Sequence, residues 1–285
     1  MFSVFRDLIR YNIEFTIGLV LVGIVVVFAG LSLVSPVDPT LIYMAIPDQP
    51  PSAQYWFGTN SRGQELFWQL SAAFKNSLIF GITVAVLSRI ISIAVGLTAG
   101  YVGGWVDRVL MFINDIFVAM PIFPILVLFY FVLRSNMDSL TLALIMACFG
   151  WPFDARLIRS VALGLKHREF SRHAVFAGMS TPKILLEEHL PYVMPIVFAT
   201  FMNNMLWSIG LEVTLAVLGF TNLNQPTIGT VLYWANSHSA MVVGVWWWIV
   251  IPVVLIVMTF LGLFLLAMSM NEYIDPRSRL RRMGV

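Results

Sequence analysis

Long apolar stretches separated by short polar segments make up most of this chain. A helix needs about 20 predominantly apolar residues to cross a bilayer. Six stretches reach that length, and we predict that each is a membrane-spanning helix. The stretches cover residues 13–34, 77–100, 109–133, 139–163, 192–220 and 245–270. The pattern therefore predicts an all-α polytopic membrane protein.

The composition agrees with the hydrophobic pattern. Hydrophobic residues make up 59% of the chain and charged residues 11%, and the mean hydropathy is +0.85. A soluble core does not need that much apolar sequence, whereas a bilayer does. The net charge of +2 is too small to indicate a nucleic-acid partner. Cys148 is the single cysteine, so an internal disulfide is excluded, and its apolar surroundings indicate a small packed side chain.

Basic residues are distributed unevenly between the two sides that six spans would create. One side carries Arg6, Arg10, Arg108, Arg156, Arg159, Lys166, Arg168, Arg172, Lys183, Arg277, Arg279, Arg281 and Arg282. The other side carries Arg62, Lys75 and Arg134. Because cytoplasmic loops carry the excess of Lys and Arg, we predict that both termini are cytoplasmic. The segments 35–75 and 221–244 would then face outward.

Two connecting regions have recognisable local chemistry. The outer segment 35–75 is rich in proline and polar residues, which predicts turns and extended segments rather than a folded domain. At the end of the second span, Gly96 and Gly100 precede Gly103 and Gly104. These glycines indicate either a close helix–helix contact or a loose helix end followed by a tight turn. The short connection 101–107 predicts that the second and third spans form a helical hairpin.

The polar segment between the fourth and fifth spans has helical periodicity. Within Glu169–Ala177, apolar side chains recur at i, i+4 and i+7, at Phe170, Ala174 and Ala177. Arg172 and His173 fall outside that face. The segment therefore predicts a short amphipathic helix outside the bilayer, with an ordinary solvated loop as the alternative.

A second helix is predicted after a turn at Gly178. Glycine at this position can take the left-handed conformation that ends a helix. Thr181 would then cap the next helix with Pro182 at its first position, and Leu190-Pro191 would end that helix. Together the two helices would form a helix–turn–helix between spans.

Motifs for catalysis and cofactor binding are absent from the sequence. Lys75, Lys166 and Lys183 are the only lysines and none follows a glycine, so there is no ordinary phosphate-binding loop. H-E-x-x-H, G-x-S-x-G and C-x-x-C do not occur, and the four histidines lack a metal-binding spacing. We therefore expect neither catalysis nor a cofactor in this chain. Work against a gradient would need energy from a partner or from an ion gradient.

Two charged residues fall inside predicted spans. Arg89 lies near the middle of the second span, where an arginine costs about 2.5–3.5 kcal/mol on insertion scales. It should therefore face the bundle interior, a cavity or a partner subunit. Glu212 lies in the fifth span, nearer its outer side. Each is a candidate for structural pairing or for lining a transport pathway, unless the span boundaries are misplaced.

Five segments, in order along the chain, resemble motifs of one transporter family. Residues 56–65 (WFGTNSRGQE) are similar to its W-F-G-T-D-x-x-G-R-D, and residues 100–107 (GYVGGWVD) to its G-Y-x-G-G-W-x-D. Residues 115–121 resemble D-x-x-x-x-F-P, and residues 151–159 (WPFDARLIR) resemble W-P-x-x-A-R-x-x-R. Residues 275–277 match its D-P-R ending. The chain thus resembles the second permease subunit of oligopeptide/dipeptide-type ATP-binding-cassette (ABC) importers.

The resemblance implies a domain organisation and a set of partners. It implies a type I importer-like fold, with an ABC transmembrane type-1 domain at 75–271 that contains a coupling-helix region at 166–190. The first span and outer loop would occupy 1–74, and a cytoplasmic tail 272–285. The implied partners are a second homologous permease, two ATPase subunits that use the ATP, a solute-binding protein and membrane lipid. The implied location is the cytoplasmic membrane.

The resemblance also assigns a role to the polar segment. Permeases of this family carry a cytoplasmic element similar to E-A-A-x-x-x-G-x(9)-I-x-L-P, the coupling helix that docks on an ATPase. Here Ala174, Gly178 and Leu190-Pro191 match it, whereas Arg172 replaces the acid and His173 the first alanine. The implied docking residues are Glu169, Phe170, Arg172, His173, Ala174 and Gly178. A short helix would sit in a groove on each ATPase and transmit ATP-driven closure as rocking of the spans.

Other implications of the sequence remain open. Residues 212–219 are similar to the family's E-A-A-L-S-F-L-G, and with Gln225-Pro226 they would border the outward mouth. An ion-coupled carrier is the alternative function, but it would need a relay of acidic residues or histidines that the spans lack. A membrane scaffold would explain the missing catalytic groups but not the ordered motifs. Related permeases carry peptides, oligosaccharides or nickel, and the sequence does not choose among these.

Overall fold

The computed structural model describes residues 9, 12–133 and 137–274. Within these ranges the chain is helical apart from connecting segments and one β-bridge between Thr59 and Glu65. The first half contains α1 (Ile13–Leu31), α2 (Leu66–Val102), α3 (Gly104–Ala119), α4 (Ile122–Leu133), α5 (Ser139–Ala147) and α6 (Pro152–Lys166). The second half contains α7 (Glu169–Phe176), α8 (Thr181–Lys183), the π-helical segment Ile184–His189, α9 (Leu190–Val217), α10 (Ile228–Ser237) and α11 (Trp247–Ile274). The predicted all-α fold is confirmed.

The predicted spans correspond to four continuous helical stretches, one stretch that is interrupted at residues 148–151, and one bent pair. The stretches that are long and apolar enough to cross a bilayer are Ile13–Val34, Leu66–Val102, Ser139–Lys166, Thr181–Val217 and Trp247–Glu272. α3 and α4 together have the length and apolarity of a sixth span, but their axes are bent by 77°. Several helices begin earlier or end later than predicted, because helical hydrogen bonding continues past the apolar run that marks a span.

The third predicted span, 109–133, is not one straight helix, which corrects the sequence prediction. The helix is interrupted at Met120 and Pro121, between α3 and α4. Met120 has an extended backbone, with φ −74° and ψ 128°, as expected for a residue that precedes proline. Because Pro121 has no N–H and its ring blocks the preceding turn, the helix restarts in a new direction. Average hydropathy does not detect such a break.

The fourth span is also interrupted, at residues 148–151 between α5 and α6. Cys148 caps α5 at its C-terminus, and Pro152 occupies the first turn of α6, where its missing N–H costs nothing. Gly150 lies in the gap, and a Cβ there would come within 2.6 Å of the Ser88 hydroxyl oxygen. The chain can therefore approach α2 closely at this point because Gly150 has no side chain.

The helices define two ends of the bundle. Residues 35–65 and 221–245 lie at one end, called here the loop end, and residues 167–180 lie at the other, called the basic end. The segment 35–65 forms turns, as predicted, and the Trp247 indole N–H donates to the Thr59 carbonyl at 3.0 Å. The predicted cytoplasmic termini, Arg134 and the D-P-R match at 275–277 lie outside the described residues.

Close packing at Gly96 and Gly100 joins α2 to α6. A Cβ at Gly96 would lie 2.7 Å from the Ala155 carbonyl oxygen, and one at Gly100 would lie 2.6 Å from the Ala162 Cβ. The helix runs through both glycines and ends only at Val102. Of the two sequence interpretations, close helix contact is therefore confirmed, since no loose end exists at these positions.

Replacing Gly100 with alanine should destabilise the protein. The added methyl group would overlap Ala162 and the Arg159 carbonyl oxygen, and overpacking of this kind typically costs about 1–3 kcal/mol. Gly164→Ala on α6 is the matched control, because a Cβ at Gly164 has no atom within 4 Å. Thermal unfolding of the detergent-solubilised protein measures the difference. Equal melting temperatures for the two variants would contradict this packing.

Candidate functional site

The amphipathic helix predicted between the fourth and fifth spans is α7, Glu169–Phe176. Gly178 has φ +76°, the left-handed conformation that glycine adopts without steric cost. The Met179 N–H donates to the Ala174 carbonyl at 3.1 Å and the Gly178 N–H to the Val175 carbonyl at 3.0 Å. This is the Schellman arrangement of a helix C-terminus, so the alternative of an ordinary loop is wrong.

The second helix of the segment differs from the prediction. Ser180 rather than Thr181 is its N-cap, and no side chain caps the first turn. The helix does not end at Leu190-Pro191, because it continues through the π-helical segment Ile184–His189 into α9. A π-helical turn changes the hydrogen-bonding register ahead of Pro191, so the missing N–H does not terminate the helix. The basic-end helix and the fifth span are thus one continuous element.

The predicted docking residues lie on two different faces of α7. Glu169, Arg172 and His173 are exposed, and Gly178 is exposed at the turn. Ala174 is buried and Phe170 half-buried, so these two face the bundle.

Two apolar side chains that the sequence prediction did not include complete the exposed face. Phe176 is 87% exposed and Val175 54% exposed. The sequence carried one signal for this exposed face, because Phe176 is an aromatic residue that lies outside the apolar face formed by Phe170 and Ala174. An exposed aromatic at the end of a polar helix is typical of a protein contact.

The inner face of α7 is attached to the helix that continues into α9. The Ser171 hydroxyl lies 2.9 Å from the His189 Nε2, and both residues are buried. The rings of Phe170 and Tyr192 stack with centroids 4.9 Å apart and planes 13° apart. These contacts fix the orientation of α7, so that its polar face points away from the bundle.

Ion pairs link three of the family-like motifs at the basic end, because residues 151–159 pair with residues in both 100–107 and 115–121. Arg159 of α6 binds Asp107 of α3 through two nitrogens, with Nη2 2.6 Å from Oδ2. Arg156 of α6 binds Asp115 of α3 through one nitrogen, with Nη2 2.6 Å from Oδ1. The hairpin of α2 and α3 is thereby tied to α6. Within the described ranges, no group of three or more His, Cys, Asp or Glu side chains could hold a metal ion.

Arg89 is buried in the bundle interior, as predicted, where it bridges three spans. Its guanidinium pairs with the Asp154 carboxylate and donates to the Thr200 hydroxyl at 2.6 Å and the Gly150 carbonyl at 3.4 Å. The side-chain amide of Asn204 donates to the same Gly150 carbonyl at 2.8 Å. The interruption of the fourth span leaves carbonyl groups without helical partners, and these side chains satisfy them. We call Arg89, Asp154, Thr200 and Asn204 the polar layer.

A cavity of about 320 Å³ lies beside the polar layer, where the interruptions of the third and fourth spans meet. Its aromatic walls are Phe117, Phe149, Phe153 and Trp207, and its polar wall includes Asp154, Thr200, Asn203 and Asn204. The Asn204 Oδ1 is buried and has no hydrogen-bond partner among the described residues. Arg89 lies behind this wall rather than on it.

Glu212 is also buried, but it is far along α9 from the polar layer. The Thr227 hydroxyl, which caps the N-terminus of α10, donates to the Glu212 Oε1 at 2.7 Å. Gly229 lies beside this contact, where a Cβ would come within 2.5 Å of the Ala216 Cβ. Glu212 therefore joins α9 to α10 at the loop end.

Known proteins are similar to this chain over most of its length. The family model of the binding-protein-dependent transport system inner membrane component matches residues 92–280. The oligopeptide transport system permease protein OppC of Mycobacterium tuberculosis is 31% identical over 239 residues, which cover 83% of this chain and 81% of the relative. A putative peptide transport system permease of Brucella abortus is 29% identical over 277 residues, covering 96% and 91%. OppC of Bacillus subtilis is 26% identical over 274 residues, covering 95% and 88%.

These similarities confirm the resemblance that the motifs indicated, and they give no support to an ion-coupled carrier. The matched region contains the polar layer partners Asp154, Thr200 and Asn204 and the whole of α7. Apolar helices with the length of membrane spans agree with a multi-pass protein of the cytoplasmic membrane. The chain belongs to the family of binding-protein-dependent transport system inner membrane components, as a permease subunit of an importer.

Proposed function

We propose that this chain and a second homologous permease together form the translocation pathway of an ATP-driven importer for peptides. Two ABC ATPases at the basic end supply the energy from ATP, which this chain does not bind. An extracytoplasmic solute-binding protein delivers the solute at the loop end. The peptide substrate is supported by relatives named oligopeptide and dipeptide transport permeases. Oligosaccharides and nickel remain the alternative solutes.

The exposed face of α7 is the observation that carries this proposal. The helix is fixed to the bundle on one side and presents Glu169, Arg172, His173 and the apolar pair Val175 and Phe176 on the other. Such a face fits a groove on a partner through one aromatic anchor and surrounding charges. Phe176 is the anchor, and Arg172 sets the charge that the groove must complement.

The cavity beside the polar layer is this chain's part of the pathway in our proposal. Transporters place their solute sites where interrupted helices meet in the middle of the membrane, because backbone carbonyls are available there. Asp154, Asn203 and Asn204 provide acceptors for the N–H groups of a peptide. Arg89, a candidate pathway residue from the sequence, holds Asp154 in position from behind. Glu212, the other candidate, supports the outward mouth by fixing α10.

Crosslinking from a cysteine at position 176 tests the ATPase contact. In a Cys148→Ser background, Phe176→Cys should crosslink to an ATPase subunit in membranes that contain the complete importer. Val242→Cys is the matched control, because Val242 is 89% exposed but lies at the loop end. It should crosslink to no ATPase. Absence of ATPase crosslinks at position 176, with and without nucleotide, would refute docking at α7.

The same two cysteines test the predicted orientation. The labelling is done on cells whose outer envelope has been removed and whose cytoplasmic membrane is intact. A membrane-impermeant maleimide should label position 242 and leave position 176 unlabelled. Labelling of position 176 under these conditions would place α7 outside the cytoplasm, away from any ATP-hydrolysing partner.

Reversing the charge of Arg172 should impair transport. We expect the groove of the ATPase to be acidic, so that Arg172→Glu places like charges opposite each other and weakens docking. A tenfold weaker docking equilibrium corresponds to about 1.4 kcal/mol. A compensating reversal of the acidic residue in the ATPase should restore uptake of a radiolabelled peptide. Arg108→Glu is the control, since Arg108 is exposed at the same end but lies outside α7. Unchanged uptake by Arg172→Glu alone would show that this charge does not contribute.

Removing the Asp154 carboxylate should destabilise the bundle. Asp154→Ala leaves the Arg89 guanidinium buried without its counter-ion, and breaking a buried pair costs about 3–5 kcal/mol. The double variant Arg89→Met/Asp154→Leu should recover much of the lost stability, because no unpaired charge remains. Asp115→Ala breaks the exposed pair with Arg156 and should cost only about 0–1 kcal/mol. Thermal unfolding and yield distinguish these cases, and a stable Asp154→Ala variant would contradict the assignment.

A further inference from the structure

The contact between Ser171 and His189 joins the two parts of the basic end. Ser171 lies on α7, and His189 is the last residue of the π-helical segment that continues into α9. Their exposed fractions are 2% and 0%, so neither side chain can reach an ATPase groove. Their hydrogen bond is an internal contact between the proposed docking helix and the fifth span.

The neighbouring hydrogen bonds indicate which nitrogen of the His189 imidazole carries the proton. The Ser171 hydroxyl donates its one hydrogen to the Leu165 carbonyl at 2.8 Å. The tautomer with the proton on Nε2 fits this arrangement, because the hydroxyl then accepts from His189 while it donates to Leu165. The Nδ1 atom is buried without a hydrogen-bond partner in the described part of the chain. The imidazole is thus held through a single, directional hydrogen bond.

Two aromatic rings pack against the His189 imidazole. The Tyr101 ring meets the imidazole edge to face, with centroids 5.1 Å apart, and Phe170 approaches it at 6.2 Å. Phe170 also stacks on Tyr192, one turn further along the helix. A displacement of α7 must therefore either carry the start of α9 with it or break this cluster.

The π-helical segment lies directly between α8 and α9. Single π-helical turns inside longer helices are rare and occur frequently at functional sites. Here the segment presents His189 to α7 and leads into Pro191, which cannot donate a backbone hydrogen bond. The fifth span thus receives the contact from α7 at a point where its backbone departs from regular α-helix.

We propose that the Ser171–His189 hydrogen bond transmits movement of α7 to the fifth span, with both side chains acting as positioning residues. This inference rests on the proposed docking of an ATPase on α7. α9 contributes Thr200, Asn203 and Asn204 to the polar layer and the cavity wall. Movement that enters at His189 therefore reaches the pathway along one helix.

The test measures a nucleotide-driven change at the cavity wall in the complete importer. Asn203→Cys, in a Cys148→Ser background, provides an exposed thiol on α9 beside the cavity. Its rate of labelling by a maleimide is measured with and without ATP plus vanadate, which traps the ATPases. We expect Ser171→Ala and His189→Leu to retain vanadate trapping while the nucleotide effect on labelling shrinks about fivefold or more, in the usual range of coupling between sites.

Conservative and control variants separate transmission from simple structural support. His189→Gln retains an N–H donor at the position of Nε2 and should preserve most of the nucleotide effect. The double variant Ser171→Ala/His189→Leu should be no worse than either single variant, because both remove the same contact. Ser160→Ala on α6 removes an exposed hydroxyl that donates to the Leu157 carbonyl, and it should change nothing.

Three results would overturn the proposal. An unchanged nucleotide effect in Ser171→Ala would show that the hydrogen bond transmits nothing. Parallel loss of assembly, trapping and labelling in every variant, including His189→Gln, would show that the contact only supports the fold. If the parent complex recruits no ATPase or shows no nucleotide effect, the proposed function itself fails, and the inference fails with it.

Discussion

Arg89 places a fixed positive charge inside a bundle of apolar helices, where no single helix can satisfy it. Two other spans meet this requirement together, because the fourth provides the Asp154 counter-ion and the Gly150 carbonyl, and the fifth provides the Thr200 hydroxyl. The interruption of the fourth span makes the Gly150 carbonyl available, and the arginine in turn compensates for the interrupted backbone. The arrangement of the interior depends on this mutual compensation between a buried charge and an unfinished helix.

The cavity follows from the same compensation. Proline and glycine stop the third and fourth spans at similar depths, which leaves space between α3, α6 and α9. Polar groups can line that space inside a membrane because neighbouring side chains form hydrogen bonds with the backbone groups that the interruptions leave without helical partners. The pathway proposed for this permease needs an interior that is polar enough for a solute and closed enough to remain stable, and the polar layer meets both requirements.

The basic end has a different organisation, in which one short helix packs on the bundle with its inner face and exposes its outer face. Small and aromatic side chains on the inner face of α7 bind the start of the fifth span, whereas its outer face remains free for a partner. Because α7 is only eight residues long, it would not be stable alone, and its contacts with the bundle hold it in place. The outer face is thus positioned by tertiary packing, with the ion pairs of Arg156 and Arg159 stabilising the same end.

Features that depend on local properties could be predicted from the sequence alone. Hydropathy located the spans, helical periodicity predicted α7, and Gly178 predicted its C-terminus, since each depends on residues within a few positions. Features that depend on distant residues emerge only in the folded bundle. Arg89 meets Thr200 across 111 positions and Asp154 across 65, and no periodic pattern contains those pairs. The continuation of the helix past Leu190-Pro191 also depends on distant contacts, because packing energy from the whole bundle outweighs the local tendency of a proline to end a helix.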